Sequence, residues 1–274
     1  TVVAALLLFI LFFNRPDIGL ALVIFYAPFF LFPVELYQFA FPMSELLLLL
    51  LGPAWALNML VGWARARRTG TPRRSGWPVL TSMDYALAVW LALGFVTLLW
   101  TERRGPAITE LRTMIVEPAL FYLIFRTSRL DSKAVLRVVD ALLLAGIVVA
   151  VIGLFLYAQG VNVITAEAGA RRLASVYGSP NNVALILGRC LPFALAFALA
   201  GIDARRRAAA AFAIVVMLVA AILTQSAGAL FLGLPVAIVA VLLLTLRRRA
   251  LIPLAVLAAA GAVAIAVALR SARF

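Results

Sequence analysis

Apolar residues run through this chain in long blocks separated by short polar stretches, and the spacing of those stretches sets out its elements. A helix needs about 20 apolar residues to cross the hydrocarbon core of a bilayer. Runs of that order lie near 1–13, 17–33, 44–64, 82–100, 107–125, 136–158, 181–201, 207–223, 227–246 and 250–269. They predict an all-α polytopic bundle of about ten transmembrane spans, a single transmembrane domain over 1–274. The second run is short and holds Pro28 and Pro33, which predicts a kinked or re-entrant segment.

The polar stretches carry the topology. One alternate set holds Arg15, then Arg65, Arg67, Arg68, Arg73 and Arg74, then Arg126, Arg129, Lys133 and Arg137, then Arg205–Arg207 and Arg247–Arg249. The other set holds Arg103, Arg104, Arg112, Arg171, Arg172, Arg270 and Arg273. That is sixteen basic residues against seven, with Arg189 inside a span completing the 24. Such an excess places the first set in the cytoplasm and the 159–181 loop outside. Trp63, Trp77, Trp100, Tyr157 and Tyr177 fall near span ends, where interfacial anchors are expected.

Composition agrees. Hydrophobic residues make up 66% of the chain and charged residues 13%, and the mean hydropathy is +1.12, values of a membrane protein rather than a soluble domain. The net charge of +13 does not point to nucleic acid, because the basic residues sit in clusters between apolar runs where topology accounts for them. Cys190 is the one cysteine and there is no histidine. Disulfides within the chain, histidine acid–base chemistry and histidine metal sites are therefore excluded from this sequence, and no cofactor or metal is expected. The sequence opens inside an apolar run without methionine and stops just after another, so it reads as part of a longer protein.

One polar stretch stands apart, Arg171–Pro192, with the sequence RRLASVYGSPNNVALILGRCLP. Two arginines precede a small turn, and Ser179 or the asparagines Asn181 and Asn182 can cap the helix that follows. A helix N-terminus beside two guanidiniums is suited to a phosphate or diphosphate, and an ordinary capped loop anchored in headgroups is the plainer alternative. A second outward-starting helix begins near Ser226 and Gly228. Arg189 and Glu117 fall within apolar runs, each roughly 10–15 Å below the outer boundary at ~1.5 Å per residue. A pair between them would serve either packing or the anion site. Asp140 lies near a cytoplasmic end and is expected to snorkel or to pair with Arg137.

At these residues the chain resembles the O-antigen ligase family of integral membrane glycosyltransferases. The family pattern is an arginine, a small turn and Pro-Asn entering a helix, followed one loop later by a Leu-Thr-x-Ser turn entering the next outward-starting helix. Here these are Arg172-Leu-Ala-Ser-Val-Tyr-Gly-Ser-Pro180-Asn181-Asn182 and Leu223-Thr-Gln-Ser226-Ala227-Gly228-Ala229. The segment Thr109-Glu-Leu-Arg112, with Glu117 and Tyr122, is similar to the stretch preceding them. Ala227 replaces an arginine usual in the family, and the family's large histidine-bearing outer loop would begin where this sequence stops.

The resemblance implies a GT-C-like architecture in the bacterial inner membrane with a periplasmic active face. It also implies transfer of a glycan from an undecaprenyl-diphosphate carrier to lipid A–core, with a polymerase or protein-glycosylating relative as the near alternative. The implied partners are the lipid-linked donor, the acceptor and membrane lipids. Arg172 would be the catalytic diphosphate contact, assisted by Arg171, Asn181, Asn182 and Ser226, with Arg189 and Glu117 behind them. The fragment alone would be inactive. A transporter of an anionic lipid or solute is the rival of another class; it would show internal repeats with paired broken helices.

Overall fold

The computed structural model describes residues 2–36, 39–69, 79–165, 169, 171–200, 203–256 and 259. Arg73, Arg74, Trp77, Arg270, Arg273 and most of the 250–269 run lie outside the described residues. The chain divides into two compact units, Thr1–Leu142 and Leu143–Phe274.

Helices stand at the places of the first nine apolar runs. They are α1 (Val2–Asn14), α2 (Pro16–Tyr26), α3 (Met43–Thr69), α4 (Ser82–Thr97), α5 (Arg104–Glu110) continuing through a π segment (Leu111–Val116) into α6 (Glu117–Thr127), α7 (Ser132–Gln159), α8 (Pro180–Ala200), α9 (Ala204–Leu223) and α10 (Leu234–Leu246). A second π segment, Ala229–Gly233, leads into α10. Short 3-10 segments follow α2 (Ala27–Phe29) and α10 (Arg247–Ala250), and there are two short antiparallel hairpins: β1 (Val34–Leu36) with β2 (Phe39–Phe41), and β3 (Val163–Thr165) with β4 (Arg171–Leu173).

Among the described residues, five helices are long and apolar enough to span: Met43–Thr69, Ser132–Gln159, Pro180–Ala200, Ala204–Leu223 and Ala229–Leu246. α1 and α2 would add a sixth as one broken span or re-entrant loop, since they bend by 119°. The 119° bend falls at Arg15-Pro16, where Pro16 at the first helical position of α2 cannot donate back into α1, and within the second run α2 gives way at Pro28 to a 3-10 turn, Ala27–Phe29. α4 has 16 residues, and the α5–α6 rod carries Glu110, Arg112 and Glu117 in its apolar stretch.

The first unit packs α1, α2, α3 and α6 around Phe12, Leu20, Leu47, Leu51 and Ile124. Gly19 lets α2 close on α3, since a Cβ there would come within 2.7 Å of Leu51 Cδ1. Thr81 and Asp84 form a capping box at the start of α4, and Tyr122 of α6 donates to Asp84 at 2.8 Å. Asp17, 4% exposed, accepts from both Nε and Nη2 of Arg15 at 3.1 Å and pairs with Arg137. Arg137 thus reaches across to Asp17 on α2; sequence alone offered it Asp140 on its own helix.

The second unit joins the later part of α7 to α8, α9 and α10. Three helices converge at Gly146, where a Cβ would meet Cys190 Sγ at 2.7 Å and Met217 Sδ at 2.9 Å. Val149, Leu187, Cys190 and Met217 are fully buried here. Both units leave large apolar side chains exposed on their helices, among them Leu6, Leu7, Val89, Leu93, Phe212, Val215 and Phe231. In water that surface would drive aggregation; against lipid tails it is the outer face of a membrane protein.

Candidate functional site

The site grows out of the end of α7. Gly160 (φ 71) and Asn162 (φ 49) take left-handed conformations that turn the chain out of the helix. β3 and β4 then pair so that Ile164 faces Arg172 and Thr165 faces Arg171. After β4 the chain folds back onto α7. Ser175 (φ 51) reverses direction, its Oγ donates to the Val149 carbonyl at 2.6 Å, and the Asn162 amide donates to the carbonyl of Ser175. Gly153 makes the seat: a Cβ there would lie 2.7 Å from Leu173 Cδ2 and 2.9 Å from Ser175 Cβ. Leu173 through Tyr177 are all buried as a result. Gly153→Val should unseat this segment and lower stability by about 1–3 kcal/mol, as overpacking does, which thermal unfolding in detergent would read.

Tyr177 is 6% exposed, so it packs inside the protein and does not serve as the interfacial anchor expected from sequence. Burial pushes its hydroxyl up to about 12.

The helix that follows is capped by Ser179. Pro180 occupies the first helical position, Ser179 Oγ accepts from the Asn181 N–H at 3.3 Å, and the Asn182 N–H bonds the Ser179 carbonyl at 3.2 Å. The first-turn N–H groups expected to meet an anion are therefore taken by Ser179, and Pro180 has none. What this terminus offers is side chains: Asn181 and Asn182 are both exposed.

Arg172 joins the two motifs. Its Nε donates to the Thr224 carbonyl at 2.9 Å and its Nη2 to Asn181 Oδ1 at 3.0 Å. Thr224 is fully buried at the end of α9, and its Oγ1 accepts from the Ser226 N–H at 3.3 Å. Gln225 (φ 50) makes the reversal between α9 and the next helical segment, and its amide donates to the Arg171 carbonyl at 3.3 Å. Ser226 is 8% exposed and stands just before that segment, its carbonyl accepting from the Leu230 N–H at 2.9 Å. Arg172, Asn181 and the 224–226 turn are thus brought together by direct hydrogen bonds.

The two arginines differ as neighbouring strand positions should. Arg172 is half-buried and bridges; Arg171 is exposed, with its Nη1 over Gly160. Among the described residues, Arg172 has partners at Nε and Nη2 and none at Nη1. No carboxylate among those residues pairs with either arginine. Among the described residues this end of the unit therefore sets two arginines without a carboxylate partner beside neutral donors, an arrangement that suits an anion. Among the described residues no group of three His, Cys, Asp or Glu side chains could hold a metal ion.

Arg189 is exposed on α8 and has no ion-pair partner among the described residues of its own unit. Glu117 belongs to the first unit, where Arg112 Nε stands 4.0 Å from its Oε1. The pair between Arg189 and Glu117 expected from depth would have to join the two units. Sequence reasoning missed Thr224 as a partner of Arg172, because a backbone carbonyl as acceptor leaves no mark in a sequence. No family model, no curated protein and no solved structure matches this chain.

Proposed function

We propose that this chain is the membrane core of an O-antigen ligase-like glycosyltransferase. It would take a glycan from an undecaprenyl-diphosphate carrier and pass it to lipid A–core or a similar acceptor at the periplasmic face of the bacterial inner membrane. The observation that carries the reading is Arg172: one guanidinium bonds both motifs of the resemblance, Asn181 in the first and Thr224 in the second. Sequence order alone did not require them to meet.

The chemistry asked of the site is modest. Glycosyl transfer expels a diphosphate, and charge gathers on its bridging oxygen as the bond breaks. A guanidinium held in place by two hydrogen bonds, with donors left over, stabilises that charge without reorganising. Arg171, Asn182 and Ser226 border the same end and would add contacts. The orientation rests on the second unit alone: Arg205–Arg207 before α9 and Arg247–Arg249 after α10 alternate with the Arg172 end, which favours an outer location for it. A GT-C-like arrangement with ten crossings belongs to the same proposal.

Reconstitution of the full-length gene product with a polyprenyl-diphosphate-linked glycan and lipid A–core tests this. Transfer to lipid A–core supports the ligase, and lengthening of the glycan on its carrier makes the protein a polymerase. Carrier that crosses the bilayer with no transfer overturns the glycosyltransferase reading in favour of a transporter.

A further inference from the structure

A second charged cluster lies in the first unit, on the α5–α6 rod and the start of α3. Glu45 near the start of α3 is 2% exposed, and its Oε1 pairs with Nη1 of Arg112. Arg112 belongs to the π segment between α5 and α6, and Glu117 opens α6 with its Oε1 4.0 Å from Arg112 Nε, too far for a hydrogen bond. Two carboxylates therefore share one guanidinium.

Two separate accounts of this cluster fall short by the same particle. By charge, two carboxylates and one arginine leave a net negative charge on a cluster in which Glu45 is 2% and Glu117 21% exposed, and an uncompensated ion so poorly hydrated is costly. By hydrogen bonds, Glu45 Oε2 and Glu117 Oε1 are buried acceptors with no donor among the described residues. One proton answers both: it neutralises the cluster and turns an orphaned acceptor into a donor. Among the described residues no other salt bridge reaches this cluster. Asp84 of α4 holds Arg126, Asp17 of α2 holds Arg15 and Arg137, and Arg104 and Glu110 of α5 are exposed.

We propose that Glu45, Arg112 and Glu117 form a proton-binding site in which the two carboxyl groups share a single proton. Like-charge carboxylates in one site keep a proton that neither would keep alone. The site sits on a π segment, a form common at functional positions in helices. Loss of the proton would put the net charge directly on that irregular turn. The inference is independent of what the Arg172 end binds.

Infrared spectroscopy of the full-length protein in hydrated liposomes reads such a proton as a carboxylic-acid C=O stretch. The expected result is a band present at neutral pH that fades as pH rises. It should be lost in Glu117→Gln and lost equally in Glu45→Gln, because either change leaves one carboxylate paired with Arg112. Should Glu45→Gln not fold, the wild-type titration and Glu117→Gln decide. A wild-type protein with no acid band at neutral pH, its cluster filled by water or a metal cation, would overturn the proposal. So would a band that survives Glu117→Gln.

Discussion

Replacing Arg172 with alanine should lower glycan transfer by about 100-fold or more, the scale on which enzymes lose rate when one fixed donor to a developing oxyanion is removed. The substitution removes the donor, and it also removes both bonds that tie Asn181 to the 224–226 turn. Arg172→Lys separates these losses. Lysine keeps the charge, but its ammonium lacks the planar fork that reaches the Thr224 carbonyl and Asn181 Oδ1 together, so it should recover only part of the rate. Arg171→Ala should do less, since that side chain is exposed and only its carbonyl is engaged by Gln225. Transfer rates per inserted molecule, with thermal unfolding alongside, check all three variants. Full activity in Arg172→Ala would remove Arg172 from the chemistry.

The largest effect on stability is expected at the bend between α1 and α2. Asp17 is buried, with Arg15 and Arg137 as its partners. Those arginines are half exposed, at 49% and 41%, so either can return to water while the other still neutralises Asp17. Removing one should cost little. Removing both, in Arg15→Ala with Arg137→Ala, strands a buried carboxylate and should cost about 3–5 kcal/mol. Adding Asp17→Asn to the pair should recover much of that loss, because the stranded charge goes with it. Unfolding of the single, double and triple variants in detergent measures the coupling; additive losses would mean that the three groups do not act together.

How much of this was legible in the sequence follows from what each feature depends on. Apolar runs fixed where the helices lie, since burial in lipid or protein demands them whatever the tertiary structure. They did not fix how many helices cross, because α4 is short and the α5–α6 rod carries three charges in its apolar stretch. The π segments at 111–116 and 229–233 left no pattern to read. Arg172, Asn181 and Ser226 were legible as polar residues at the mouths of apolar runs. Their meeting was not, because it runs through the Thr224 carbonyl, which every sequence possesses. Of the residues that could cap α8, Ser179 does so because Pro180 fills the first helical position, which leaves the Asn181 side chain to hold Arg172. Tyr177 read as an anchor until Gly153 was seen to give its segment a seat on α7.

The most direct measurement is photolabelling with an undecaprenyl diphosphate analogue that carries its reactive group beside the diphosphate. In liposomes containing the full-length protein, label should fall within 171–182 and 224–228 and should drop sharply in Arg172→Ala. Label confined to other segments, or unchanged by that substitution, would contradict the diphosphate site proposed at Arg172.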